Sequence, residues 1–382
     1  MFLTQRFLDI PKGINKKMAD REFNNRSNET LLINEKIKDK PVKVRDCTDC
    51  KIIKCDFSYN EKDQTMLTLQ NCVRCTVSEC DFHDKDTYGL MIKIIGEKTK
   101  DNVIERCKFY EFEYDGEENA EPVRIGDSRL SGCQFNTTIK YCHFDGLKAD
   151  VETVSIKSCG NVLENNKHEN CRSSFVVRHG GFNKIRNNLF IGSGGIRVYG
   201  NSNEIRGNYH KNNSSSEKPP LIIANGNLED DPNFDESGKP RGEEGCGHAV
   251  YARTRNNVIE GNTYDNCEVT CVDWGYKEYE CEKDCDKECK SEKHGWEKDY
   301  TLKGPLHPTN NSFINNTIMA DEDNKQSTLL ECSADAKIPD NNVFQGNKLY
   351  NVKPGDVPKE AIQILSAKPE IEKPDAGPDD HS

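Results

Sequence analysis

Residues 176–190 read VVRHGGFNKIRNNLF, an apolar pair running into Arg178 and His179 and then into two glycines. Lys157 stands 21 residues before Arg178, in DVETVSIKS, and Asp150 and Glu152 precede it by a few positions. Asp150 and Glu152 share strand parity and therefore one face, whereas Lys157 has the opposite parity, so a turn must intervene if all three meet. Paired carboxylates alone would suit acid–base hydrolysis of a glycosidic bond. A lysine and an arginine set beside such a pair argue against that chemistry, and the elements that would bring them together decide what replaces it.

Those elements are written as a repeat. CTDCKIIKCDF (47–57) recurs as CVRCTVSECDF (72–82), with Cys47, Cys50 and Cys55 answered 25 residues later by Cys72, Cys75 and Cys80. A looser form continues as NVIERCKF (102–109), NVLENNKH (161–168), NKIRNNLF (183–190), NEIRGNYH (203–210), NVIEGNTY (257–264) and NVFQGNKL (342–349). Short strand-like bursts between Asn and Gly turns, at a period near one coil, mark a β-solenoid and not a helical repeat. Asparagine recurring at a corner has a mechanism: side-chain amides stack from rung to rung and satisfy turn backbone groups. Cysteine at the same place serves as a small buried hydrophobe. The expected fold is all-β, a right-handed parallel β-helix of about ten coils with inserted loops. In that fold Lys157 and Arg178 lie on adjacent rungs, roughly 5 Å apart.

Composition limits the functions on offer. The chain has 382 residues, a net charge of −12, 34% hydrophobic and 31% charged residues. No apolar run approaches the roughly 18 residues needed to cross a membrane, so no membrane partner is expected. An acidic chain is poorly suited to non-specific nucleic-acid binding, and any polyanion must meet a local basic patch. The first residues carry no readable signal peptide. Eighteen cysteines and the sequons at Asn25, Asn28 and Asn136 nevertheless favour a secreted protein, with a cytoplasmic one as the alternative. A monomer is expected. Residues 1–40 read as an N-terminal cap or extension, 41–352 as the β-helix, and 353–382 as a disordered tail. Segments 211–250 and 265–305 read as protruding insertions. The second holds Cys267, Cys271, Cys281, Cys285 and Cys289, for which a disulfide-stapled loop is favoured over a zinc site completed by His294.

The succession RIGDS (124–128), DVETVSIKS (150–158), RHG (178–180), GGIRV (194–198) and IRGNYHKN (205–212) resembles polysaccharide lyase family 6, the parallel β-helix family of chondroitinase B and alginate lyases. The resemblance runs in order from about residue 119 to 225. It implies β-elimination on a uronate polymer, with Lys157 as general base and Arg178 as general acid. It places His179, Arg197 and Arg124 at substrate-contact motifs, although Arg124 also suits a structural tether to Glu121 or Asp150. It further implies a Ca2+ ion that neutralises the uronate carboxylate, with Asp150 and Glu152 as acidic ligands. The family's Asn ligand is replaced by Ala120, which leaves Asn119, one residue away, as the substitute. The expected partner is an acidic polysaccharide, alginate before dermatan or chondroitin sulfate, because few arginines follow residue 200 to receive sulfate. A non-catalytic polyuronate-binding β-helix is the other reading.

Overall fold

The structure, a computed structural model, describes residues 21–38, 40–115, 119–213, 219–226, 228–229, 251–267, 270–276, 287–289, 300–302, 306–323, 328–332 and 341–378. Three long parallel sheets of 12, 11 and 12 strands run the length of the molecule. Eleven coils contribute one strand to each sheet and a twelfth contributes to the first and third alone, so the chain forms a right-handed parallel β-helix of twelve coils where the sequence indicated about ten.

The repeat unit explains itself once placed. In NVIERCKF, Asn102 sits at a corner, Val103–Glu105 is the second-sheet strand, Cys107 is the next corner, and Lys108–Phe109 is the third-sheet strand. The second corner column begins with cysteines (Cys55, Cys80, Cys107, Cys142) and continues as Asn166, Asn188, Asn208, Asn262, Asn316 and Asn347. In its asparagine part each side-chain oxygen accepts both the backbone N–H and the amide N–H of the preceding rung. For Asn188 onto Asn208 the distances are 3.0 and 2.9 Å. A second column runs through Asn161, Asn183, Asn203, Asn257, Asn311 and Asn342 in the same way. The corner residue just before the column of Asn188 and Asn208 lies in the left-handed region, as Asn187 (φ 53°) and Gly207 (φ 62°) do, and Asn and Gly tolerate that conformation best. Inside the third sheet, Phe57, Phe82, Phe109 and Phe144 stack at 4.5–5.1 Å between centroids.

Three expectations need correction, and a fourth, the disulfide-stapled loop, falls mostly outside the described residues. The first coil lies within the supposed cap, with strands Glu22–Asn24, Thr30–Ile33 and Lys36–Ile37. The segment expected to be a disordered tail carries strands Lys353–Gly355 and Ile362–Ile364 and then packs back across the third sheet. There Lys368 bridges Asp265 (2.9 Å) and Asp321 (2.7 Å), and the Gly377 N–H donates to the Asn165 carbonyl at 2.8 Å. Residues 265–305 are not all insertion, because Thr270–Tyr276 is the first-sheet strand of coil 10. Among the described residues no disulfide forms, and Cys267 and Cys271 are buried thiols. Cys281, Cys285 and His294 lie outside the described residues, as does the side chain of Cys289.

Candidate active site

The charged residues converge on the outer face of the first sheet at coils 5 to 8, on strands Val123–Gly126, Glu152–Lys157, Ser174–His179 and Ile196–Val198. Simple alternation puts Glu152 and Lys157 on opposite faces. A bulge resolves this: Glu152 pairs with Ser174 and Val154 with Phe175, so Thr153 is the extra residue. Its hydroxyl is drawn into the core, 2.9 Å from His168 Nε2 and 2.7 Å from Ser173 Oγ. Glu152, Ser155 and Lys157 then share the outer face, with no turn needed. A second irregularity pairs Lys157 with His179 and leaves Arg178 as the extra residue on the next coil. Adjacent rungs therefore carry Lys157 and Arg178, as the 21-residue spacing required. The glycine of RIG and the first glycine of RHGG turn the chain away beyond them. Gly126 (φ 86°) and Gly180 (φ 84°) lie so close to a neighbouring rung that a Cβ would sit 2.5 Å from the carbonyls of Lys157 and Ser158 respectively.

Glu152 is the hub. Its Oε1 accepts from Arg197 Nη2 at 2.8 Å and faces Arg178 Nη1 at 3.5 Å, while buried Oε2 has no hydrogen-bond partner among the described residues. Burial alone would raise this carboxyl, but Arg178, Arg197 and Lys157 together outweigh it and bring the pKa down to about 2. Lys157 is 8% exposed. Burial first, then the charges of Arg178 and Arg124, lower its amine below the ordinary lysine value and favour the neutral form. His179 lies well below the usual histidine value, chiefly through burial and then through Arg178 and Lys157, so it is neutral. Its ring stacks on Tyr251 at 5.5 Å, and Tyr251 stacks in turn on Tyr199 at 4.1 Å. The Arg178 guanidinium lies over the Tyr251 ring, 5.7 Å from its centroid.

Arg124 is the tether that its position allowed. It holds Glu121 with two bonds, 3.0 and 2.5 Å, and donates to the Asn119 side-chain oxygen at 2.7 Å. Arg197 is buried beneath Glu152, so it positions that carboxylate and offers no open surface to grip substrate. Tyr251 and Tyr199 were absent from the sequence reading. Tyr251 enters from beyond the 211–250 segment, where no repeat marks it.

The three acids test the calcium expectation. Asp150 is buried, and burial, then the carboxylates of Glu121 and Glu152, push its pKa up to about 7. Its oxygens accept the backbone N–H of Glu152 (3.2 Å) and of Ala120 (3.5 Å). Asn119 and both Glu121 oxygens are taken by Arg124, and Ala120 supplies only a buried methyl. That leaves the Asp150 carboxylate and one Glu152 oxygen, against the roughly six to eight oxygens a Ca2+ ion takes. The residues do not make a calcium cage.

Residues 19–234 match the chondroitinase B family, and the chain belongs to that family. It is part of polysaccharide lyase family 6, whose members are enzymes that cleave polysaccharides by β-elimination. No curated protein matches the chain. Among solved structures, the family 6 polysaccharide lyase of Pseudopedobacter saltans is similar at 19% identity and a TM-score of 0.59, covering 92% of this chain and 84% of that one. A mannuronic acid specific family 6 lyase from human gut microbiota is similar at 17% identity and a TM-score of 0.58, covering 87% and 77%. A variant of the alginate lyase AlyGC gives 16% identity and a TM-score of 0.56. It covers 94% of this chain, which spans only 53% of AlyGC. At these identities the likeness is one of fold.

Proposed function

We propose that this protein is a polysaccharide lyase that cleaves an unsulfated uronate polymer, with alginate favoured, by β-elimination. The observation that carries the reading is a buried amine biased toward neutrality, one rung from a guanidinium that is 27% exposed in its side chain. Neutral Lys157 takes the proton from C5 of the uronate. The C5–H electron pair forms the C4–C5 double bond, and the C4–O bond breaks. The oxygen leaves with a proton from Arg178, since a departing alkoxide is among the few bases strong enough to draw on a guanidinium.

Abstraction beside a carboxylate builds a second negative charge, which must be neutralised in place. The guanidiniums of Arg178 and Arg197 converge on the Glu152 carboxylate with Lys157 beside them, which concentrates positive charge where the substrate's second negative charge would form. This supports turnover without calcium. Neutral His179 offers a hydrogen bond to a hydroxyl and not a charge. The chemistry, together with the sequons, keeps secretion as the proposed location and a monomer as the working assembly.

The test is the ultraviolet absorbance of the unsaturated uronate on mixing the protein with alginate or, separately, dermatan sulfate, with Ca2+ or with chelator. A rise on alginate in both conditions is expected. A folded protein giving no rise on any polyuronate sinks the proposal, and loss of the rise in chelator sinks the metal-free version of it.

A further inference from the structure

The outward row of the first sheet changes sign along the solenoid axis. Register aligns Lys43, Thr68, Lys93, Arg124, Ser155, Val176, Arg197, Ile222, Asp273 and Glu331 rung by rung. From coil 2 to coil 8 every charged member is basic, whereas Glu22 at coil 1 and both members beyond coil 8 are acidic. The neighbouring row adds Arg45 and Gln70 at coils 2 and 3. Opposing acids do not cancel the basic half: Glu22 faces both Lys43 (3.2 Å) and Arg45 (3.3 Å), one charge against two. Near Lys93, Glu121 is engaged by Arg124 and Asp127 by Arg129. Lys93 itself has no ion-pair partner among the described residues.

Accessibility changes at the same place. Lys43, Thr68, Gln70 and Lys93 are half-buried, while Arg124, Ser155 and Arg197 are buried. On the other side of the site, Ile222 belongs to an apolar cluster with Tyr199, Ala224 and Tyr251. A polyanion leaving Lys157 toward coil 9 would meet that desolvated wall and then Asp273 and Glu331. Past buried Arg124, toward coil 4 and below, it meets half-buried, basic surface.

We propose that the polymer occupies one arm only, running from Lys157 toward the N-terminal coils, with Lys93 binding a uronate carboxylate two sugars from the reacting one. The inference rests on the lyase reading above. The spacing supports it: rungs are about 4.8 Å apart, and an extended 1,4-linked pyranose chain advances by about one rung per sugar. Alternate sugars of a two-fold ribbon turn their carboxylates the same way, so the second sugar on presents its charge two rungs from Lys157, where Lys93 stands.

The experiment measures Lys93→Gln, Lys43→Gln, Asp273→Asn and Glu331→Gln on alginate and on a ladder of defined oligouronates, and also by electrophoresis through alginate-containing gel. For Lys93→Gln, kcat/KM on polymer should fall roughly tenfold, carried by KM. The loss should shrink as the oligosaccharide is shortened, and gel retardation should weaken in parallel. Lys43→Gln should show a smaller loss, confined to longer chains. Asp273→Asn and Glu331→Gln should cost nothing. A Lys93→Gln loss independent of chain length, no loss at all, or a loss at Asp273 or Glu331 overturns the one-arm reading. Retardation that depends on Lys93 without any turnover would leave the arm standing and remove the lyase. Turnover indifferent to Lys93 would do the reverse.

Discussion

The asparagine columns and the charged cleft bury polar groups to the same depth. Asn166, Asn188 and Asn208 are at most 1% exposed, and Glu152 and Asp150 are 1% and 6% exposed. In the columns each amide donates to the side-chain oxygen of the asparagine on the next rung, at 2.9–3.2 Å. In the cleft Glu152 Oε2 and His179 Nδ1 have none among the described residues, and Asp150 meets two like charges. Satisfied burial fixes a shape. Unsatisfied burial stores a tendency to bind or to move protons, and it persists only because the rungs on either side are rigid. The two regions should therefore fail in opposite ways.

The largest effect is expected at Lys157. Replacing it with methionine keeps the volume and removes the proton acceptor, so turnover should fall by about a thousandfold or more. The buried amine is already disfavoured in its charged form, so thermal stability should be unchanged or raised. Initial rates and a melting curve on the same sample check both halves. A Lys157→Met protein that melts early would place the lysine with the structural groups.

Asn208→Ala reverses the pattern. The side chain accepts from Asn188 and donates to the Ile185 carbonyl at 2.9 Å and to Asn262 at 3.0 Å. Its loss leaves at least two buried groups unmatched, at roughly 1–3 kcal/mol each. Denaturant titration should show a loss of about 3 kcal/mol or more, while kcat of the fraction that remains folded should hold within about twofold. A change below about 0.5 kcal/mol would mean that water replaces the amide in the column.

How far the sequence carries follows from the same contrast. The columns are legible because one residue type recurs at one corner, so the repeat discloses the β-helix and the rung spacing of Lys157 and Arg178. The first coil hides because Glu29 and Glu35 stand where later coils carry Cys or Asn. The face shared by Glu152 and Lys157 is illegible because the bulge at Thr153 has no glycine or proline to announce it. Tyr251 reaches the site from a distant segment, and only the fold brings it over Arg178. The last segment reads as disordered from its Pro, Lys and Glu content. It is held instead by long-range contacts such as Lys368 with Asp265 and Asp321, which no local pattern encodes.

Asp150 gives the smallest effect and the sharpest test of unsatisfied burial. Its folded pKa, about 7, lies above the ordinary aspartate value of 3.8. Between those values the native state holds a proton that the unfolded chain releases, so stability falls as pH rises through the window. The contribution is present below about pH 4 and lost by about pH 7, with an upper bound near 4 kcal/mol for a shift of this size. Water entry and relaxation around the cleft will reduce that figure to about 1–2 kcal/mol. Asp150→Asn keeps the acceptor for the Glu152 N–H and removes the titration. The wild type should therefore lose denaturant midpoint between about pH 4 and pH 7 relative to the variant, which should be the more stable protein at pH 8. If a cation occupied the cleft, it would hold Asp150 ionised and lower its pKa, and the two proteins would then keep parallel profiles over this range. Running the comparison in chelator and again in Ca2+ decides between these cases, because only an occupied site would make the wild-type profile flatten on adding the ion.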